Sequence, residues 1–245
     1  MSANPPVVLV TGATGALGRA VVRRFAADGA RLALVGRNED RLRRVADGSG
    51  LADDARMFAL GELTDREAAQ AVVDVVEARF GRIDVLVHLV GGWAGGTPVA
   101  DLDPAELGRM LDQHLWTTLH VTQAAVPGMV ERGFGRIVLL SSVAAYTGGI
   151  IGAHYASSKA GLHGLAHSLS QQAAGDGVTV NVVAPALIES DMLPADPGVR
   201  AQLAGSLPVG RLGTADEVAD LIAAVVRNGF VTNQSFLVDG GRHPT

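Results

Sequence analysis

Tyr155 and Lys159 stand four residues apart in HYASSKAGL, and Ser142 ends the apolar run RIVLLSS thirteen residues before the tyrosine. On a helix that spacing puts phenol and ammonium on one face, where the cation favours the phenolate and lowers the phenol's pKa. A phenol tuned in this way gives a proton to a carbonyl oxygen, or takes one from an alcohol, near neutral pH. Ser142 is placed to hydrogen-bond the same oxygen. Alone, the Tyr-x-x-x-Lys spacing is common, and its ordinary reading is a pair on a helix surface.

A second motif changes its weight. In TGATGALG, Gly12, Gly15 and Gly18 follow the apolar run VVLV and open a helical pattern carried by Leu17, Val21, Val22 and Phe25. Glycine lets backbone approach a pyrophosphate closely, and the free N–H groups of a helix start attract an anion. A plain strand-to-helix turn needs one glycine and leaves two unexplained. The next strand runs LALVGRNEDRL. Gly36 occupies the place where an acid would bond the adenosine ribose, and Arg37 follows with a donor fork suited to a 2′-phosphate. NADP(H) is therefore preferred, with NAD(H) possible. The alternative is that Arg37 only caps a solvent-facing loop.

The elements that must position these residues are legible as alternation. Short apolar, β-branched runs (VVLV, RLALV, RMFAL, DVLVHLV, RIVLLSS, VTVNVVA, SFLVDGG) alternate with helical periods near 15–28, 39–47, 64–80, 104–132, 153–174 and 214–227. Runs that are apolar throughout suit parallel strands covered on both faces. The expectation is a doubly wound α/β fold of the Rossmann type, forming one domain over 1–245, with a Pro- and Gly-rich lid at about 186–213. The 245 residues are 48% hydrophobic and 18% charged with a formal net charge of -5, which argues against nucleic-acid and anionic-membrane partners. There is no cysteine, so thiol catalysis and disulfides are excluded and the cytoplasm is the expected compartment. The start MSANPP has neither basic residues nor an apolar stretch of its own, which speaks against a signal peptide.

Taken in order, Thr11–Gly18, the Asp84–Gly92 stretch, Ser142, Tyr155, Lys159, NVVAP and FLVDGG resemble the short-chain dehydrogenases/reductases over essentially the whole chain. The resemblance implies a seven-stranded parallel sheet with helices on both faces and a nicotinamide cofactor across its carboxyl edge. It implies Tyr155 as acid/base, Lys159 as partner of the nicotinamide ribose, and Ser142 as polariser of the substrate oxygen. Cofactor positions implied are Gly12, Thr14, Gly15, Ala16, Leu17, Gly18, Arg37, Glu62, Leu63, Leu89, Val90, Gly91, Tyr155, Lys159, Pro185, Ile188 and Ser190, with no metal. A homotetramer is also implied.

Some residues depart from the family pattern. Glycine stands at Gly15, where the family's shorter members place it at Ala16. His88 and Leu89 replace two strand-bracing amides, and the bracing is expected to be rebuilt through His88. His114 replaces an asparagine that leads protons from the lysine to solvent; it is expected either to keep that relay or to be a packed core histidine. Ala186 and Ser190 replace a glycine and a threonine. His163 and His167 have metal-ligand spacing without further ligands, and an interface role suits them better. Trp93 is expected on the substrate side.

The leading function is an NADPH-dependent carbonyl reductase acting on a small-molecule carbonyl or alcohol, in the style of 3-oxoacyl-(acyl carrier protein) reductases. Arg132 suits an acidic carrier protein, but Asp176 stands where an arginine is common, which leaves the carrier in doubt. The alternative is a catalytically silent sensor or scaffold that binds NADP(H).

Overall fold

The computed structural model describes residues 5–148 and 152–243. Seven parallel strands form one sheet: β1 (Val7–Thr11), β2 (Arg31–Gly36), β3 (Arg56–Leu60), β4 (Val85–His88), β5 (Gly135–Leu140), β6 (Val178–Pro185) and β7 (Ser235–Val238). Their order is β3-β2-β1-β4-β5-β6-β7. All five residues of β1 and all eight of β6 are buried, as strands covered on both faces must be.

Successive side chains point to opposite faces, and the helices divide accordingly. Val7 and Leu9 pack with Val72, Val76 and Phe80 of α3 (Arg66–Phe80), Val121 and Met129 of α5 (Thr117–Glu131), and Ala166 of α7 (Ala153–Ala173). Val8 and Val10 pack with Val21, Val22 and Phe25 of α1 (Ala16–Ala27) and Leu42 of α2 (Glu39–Asp47). On the same face lie Val218 and Ile222 of α9 (Ala215–Arg227). The expected α/β architecture, with parallel strands and helices on both faces, is what the chain adopts.

Helix starts are capped where the sequence supplies a cap. Asn38 accepts from the Arg41 N–H at 2.9 Å and Asp65 from the Ala68 N–H at 2.8 Å. Thr214 and Glu217 form a reciprocal capping box. Helix α1 differs: its cap is Gly15, with no side-chain bond and no acid in the first turn. Its leading N–H groups point to the carboxyl edge of β1.

Two parts of the pattern differ from expectation. The long helix expected over 104–132 is α4 (Pro104–Leu111), a five-residue π-turn (Asp112–Trp116), then α5. Two short helices, α6 (Ala144–Thr147) and α8 (Pro197–Gly205), lie in stretches with no clear period. Strands β1 and β4 are neighbours although the chain visits β2 and β3 between them. The winding direction reverses there, and the crevice outside the carboxyl ends at such a reversal is where α/β sheets hold ligands.

Candidate active site

The loop from β1 into α1 closes against the end of β4. Gly12 has φ +68°, and a Cβ on it would lie 2.8 Å from the Leu89 carbonyl carbon; one on Gly18 would lie 2.3 Å from the Gly12 oxygen. Neither position admits a side chain. Gly15 is different, since a Cβ there meets only the Gly12 oxygen at 3.5 Å. The glycine at 15 is therefore not forced by packing, and the start of α1 leaves its leading N–H groups without a side-chain cap. Thr14, Ala16 and Leu17 complete the loop, and Arg19 ties it by donating to the Thr14 oxygen at 2.9 Å.

Arg37 follows β2, 80% exposed, and pairs with Glu62 after β3 at 3.3 Å. The sequence expected each at a cofactor, and the fold sets them side by side. Leu63 is buried, and its oxygen accepts from His120 Nδ1 at 3.3 Å. Leu89, Val90 and Gly91 leave β4 along the same edge. Pro185 ends β6, Ile188 pairs with Gly213, and the Ser190 hydroxyl accepts from the Met192 N–H at 3.4 Å.

Ser142 follows β5, and Tyr155 and Lys159 project from the first turns of α7; all three are buried. The Lys159 ammonium donates to the Leu140 oxygen at 3.0 Å and lies 5.9 Å from the centre of the Tyr155 ring. Burial lowers Lys159 to about 7. Burial also raises Tyr155, and the Ser142 hydroxyl offsets part of this rise. The expected depression of the phenol by lysine is thus reversed in the chain alone. The physical reason is that desolvation weakens both partners' charged forms, and Lys159 aims its protons at a carbonyl.

His88 and His114 are each explained by a chain of hydrogen bonds. The Thr117 hydroxyl gives its proton to the Gln113 oxygen at 2.8 Å and so accepts from His88 Nε2 at 3.4 Å. His88 Nδ1 then accepts from the Thr11 hydroxyl at 2.8 Å, whose oxygen accepts from the Leu89 N–H at 3.2 Å. Thr11 and His88 are register partners on β1 and β4. His88 therefore does brace these strands, and it links them to the π-turn.

His114, at the centre of that turn, has no exposed surface. Its Nδ1–H donates to Ser158 Oγ at 2.8 Å, the Ser158 hydroxyl donates to the Tyr155 oxygen at 2.8 Å, and Nε2 accepts from the Gly92 N–H at 3.2 Å. The opposite tautomer loses two of these three bonds and gains only one to the Gly92 oxygen. Thr118 and Thr122 return their hydroxyls to the His114 and Thr118 oxygens at 2.6 and 2.8 Å, supplying partners where the wider turn alters the helical pattern. A Gly91 Cβ would stand 3.2 Å from His114 Nε2 and 3.3 Å from Lys159 Nζ. His114 is thus a packed histidine, both nitrogens engaged, beside the lysine. Ser158, Thr117 and Gln113 were not singled out by the sequence, although Ser158 stands three residues after Tyr155 on the same helix.

Against this geometry the comparisons with known proteins are decisive. The family model described as short chain dehydrogenase matches residues 6–197. This chain belongs to the short-chain dehydrogenase family. It is 36% identical over 98% of its length, and 96% of the relative's, to the (2S)-[(R)-hydroxy(phenyl)methyl]succinyl-CoA dehydrogenase subunit BbsC of Thauera aromatica. It is 31% identical over 99% of both chains to the 3-oxoacyl-[acyl-carrier-protein] reductase FabG of Escherichia coli. A short-chain dehydrogenase/reductase from Mycobacterium ulcerans superposes with a TM-score of 0.91 at 28% identity, covering 99% of this chain and 91% of the other. NAD+-bound xylitol dehydrogenase superposes at 0.89 and 27%, covering 98% and 100%. The protein is an oxidoreductase of a family that uses a nicotinamide cofactor, and the uncapped α1 start and the glycines that admit no Cβ fit such a group.

The His163 ring joins Ser141 at 2.8 Å to Ser235 at 2.9 Å, and His167 meets Asn233 at 2.5 Å. Arg132 donates to the Ile83 oxygen at 2.8 Å and pairs with Glu77 at 3.3 Å, beside the amino-terminal start of β4 and away from the site's edge. Trp93 is half-exposed at the carboxyl edge. Residues 1–4, 149–151 and 244–245 lie outside the described residues.

Burial first, and the Lys159 charge second, hold both His88 and His114 down at about 3. The unfolded chain protonates them near the ordinary value of about 6.5, so it binds more protons than the folded chain below that pH, and stability falls as pH drops from 6.5 towards 3. Urea unfolding without cofactor should show a loss of about 2–4 kcal/mol between pH 7 and pH 5 from the two imidazoles, with roughly half that in His88→Gln. Equal pH dependence in wild type and variant would contradict this assignment.

Proposed function

We propose that the protein is an NADP(H)-dependent carbonyl reductase, run reversibly on a ketone or secondary alcohol borne by an acyl thioester. The observation that carries the reading is the convergence of Ser142, Tyr155 and Lys159 on the edge that also holds the uncapped α1 start and Arg37. The loop Gly12–Gly18 would seat the pyrophosphate, Arg37 the 2′-phosphate and Glu62–Leu63 the adenine. Leu89–Gly91, Pro185, Ile188 and Ser190 would line the nicotinamide end. A bound nicotinamide supplies the hydride for the substrate carbon. Ser142 donates a hydrogen bond to the substrate oxygen, and Tyr155 passes its proton to that oxygen as charge develops there. Lys159 holds the ribose and, while protonated, stabilises the phenolate left behind. His114, neutral and doubly bonded, positions Tyr155 through Ser158.

Support for a thioester comes from the two relatives, whose names specify a CoA ester and an acyl-carrier-protein ester. Of these we favour a CoA or other small thioester, because Arg132 is engaged away from the site and Asp176 offers no positive charge to a carrier. Residues 186–213 act as the substrate lid of a single domain. The cysteine-free composition suits the cytoplasm, and among the described residues no helix is long and apolar enough to cross a membrane. A homotetramer is the assembly the family resemblance favours.

Turnover is tested by following NADPH absorbance with acetoacetyl-CoA, other 3-oxoacyl thioesters and simple ketones. Tyr155→Phe should lower kcat by about 10²–10⁴-fold while nucleotide affinity is unchanged. NADPH binding without oxidation across the panel, indifferent to Tyr155→Phe, would establish the silent sensor instead.

Cofactor choice is read from dissociation constants by titration calorimetry. Arg37→Ser should weaken NADPH by about 10–100-fold and leave NADH almost unaltered, as loss of a charge-assisted phosphate contact requires. Equal effects on both nucleotides would refute the 2′-phosphate role.

For His114, the pH–rate profiles of His114→Asn and His114→Leu separate relay from positioning. Positioning predicts that kcat falls in both while the apparent pKa values stay; displaced pKa values would restore the relay.

A further inference from the structure

We infer that Arg200 is a positioning residue for this reaction, holding Ser190–Pro194 as the wall between the nicotinamide end of the site and α8. The inference rests on the reading of the edge as a reductase site. This segment belongs to IESDMLPADP, which has too many turn formers for a strand or helix of its own, and Asp191, Met192 and Pro194 are exposed. Burial therefore does not fix it. Its internal bonds are local: the Leu193 N–H reaches the Ser190 oxygen at 3.2 Å and the Met192 N–H its hydroxyl at 3.4 Å. The nearest outside anchor before it is the Glu189 N–H to the Gly213 oxygen at 2.8 Å.

Among the described residues, every hydrogen bond from Ser190–Pro194 to the chain outside that segment goes to Arg200. Its Nε donates to the Pro194 oxygen at 2.7 Å, and Nη2 donates to the Ser190 oxygen at 3.2 Å and, at the limit of reach, to the Leu193 oxygen at 3.5 Å. Nη1 is paired with the Glu189 carboxylate, which orients the fork from the other side. Arg200 itself is placed by α8, whose start is pinned by Asp196 accepting from the Val199 N–H at 2.9 Å. A planar guanidinium reaches several diverging acceptors at once from one position, which a lysine ammonium on its flexible stem cannot reproduce.

Two functional positions hang on this one side chain. Ser190 is an expected cofactor position at the nicotinamide end, and its own carbonyl is one of the atoms Arg200 holds. Met192, 58% exposed, stands in the middle of the strapped segment, which on this reading borders the substrate entrance. Arg200 thus couples the depth of the nicotinamide end to the width of the substrate entrance without touching either ligand.

The experiment compares wild type, Arg200→Met, Arg200→Lys and Glu189→Gln, each first checked for a cooperative thermal transition. Thermolysin cleavage around Met192–Leu193 in the native protein is then timed with and without NADPH. Loss of the strap should raise that cleavage rate about tenfold or more in Arg200→Met and nearly as much in Arg200→Lys, because cleavage tracks local opening. Glu189→Gln, which keeps the carbonyl bonds, should stay within about threefold of wild type. With a thioester that the wild type turns over, KM should rise about tenfold or more in both Arg200 variants, with kcat within about threefold, as expected of a residue that places a wall and not the reacting groups. Should Arg200→Met fail to fold, Arg200→Lys carries the test. Cleavage unchanged in the Arg200 variants overturns the inference, as does raised cleavage with KM unchanged. Failure of the wild type to turn over any carbonyl overturns the reductase reading, while the cleavage rates and NADPH dissociation constants still decide whether Arg200 holds the segment.

Discussion

The site depends on the close approach of two backbones at the sheet's reversal point. The turn after β1 lies against the end of β4 so tightly that a single carbon at Gly12 would strike the Leu89 carbonyl, and one at Gly18 would strike the Gly12 oxygen. That contact brings the uncapped start of α1 and the Leu89–Gly91 backbone to one crevice. Parallel pairing of β1 with both β2 and β4 then decides what else reaches it. The second strand contributes Arg37, and the sequence β4, β5, β6 contributes the floor, Ser142 and Pro185 in turn.

A polar chain runs from that contact to the backbone of Tyr155. Thr11 and His88 join β1 to β4, Thr117 joins His88 to the π-turn, and His114 joins the turn to Ser158 and the backbone of Tyr155. Each hydroxyl both donates and accepts, which fixes the tautomers of both rings. A fully satisfied buried network of this kind specifies a geometry more than it adds stability. The π-turn belongs to the same design, since it sets His114 at Gly91 and Gly92, and the threonines that follow it offer hydroxyls to the local carbonyls.

Much of this was legible in the sequence for definite reasons. Continuous apolar runs identified the strands because two-sided burial leaves no alternation to confuse with a helix. Spacing placed Tyr155 and Lys159 on one helix, and the glycines after a strand marked the turn from β1 into α1. What was hidden was hidden by length or by distance in sequence. The helix α6 is one turn long, and α8 is apolar on no sustained face. The π-turn adds one residue to a helical period, which a pattern of period 3.6 absorbs within its scatter. Arg200 and Ser158 carry no motif, because their roles consist of bonds to backbone carbonyls, and any sequence supplies those. Depression of the Tyr155 pKa failed as an expectation because spacing reports proximity and says nothing about desolvation.

That failure sharpens the electrostatics of the pocket. Four titratable groups (His88, His114, Lys159 and Tyr155) share a region from which water is excluded, and burial disfavours the charged form of each. The imidazoles are pushed so low that they stay neutral throughout the physiological range, and the phenol is pushed up. Lys159, at about 7, is left as the group that changes charge near neutrality. Its charge in turn holds down both imidazoles, so a proton arriving in the pocket goes to the lysine before either ring. A histidine in place of an amide at 114 therefore adds no competing base, provided that it remains buried and doubly bonded. The same desolvation that makes Lys159 titrate near neutrality keeps His114 neutral there.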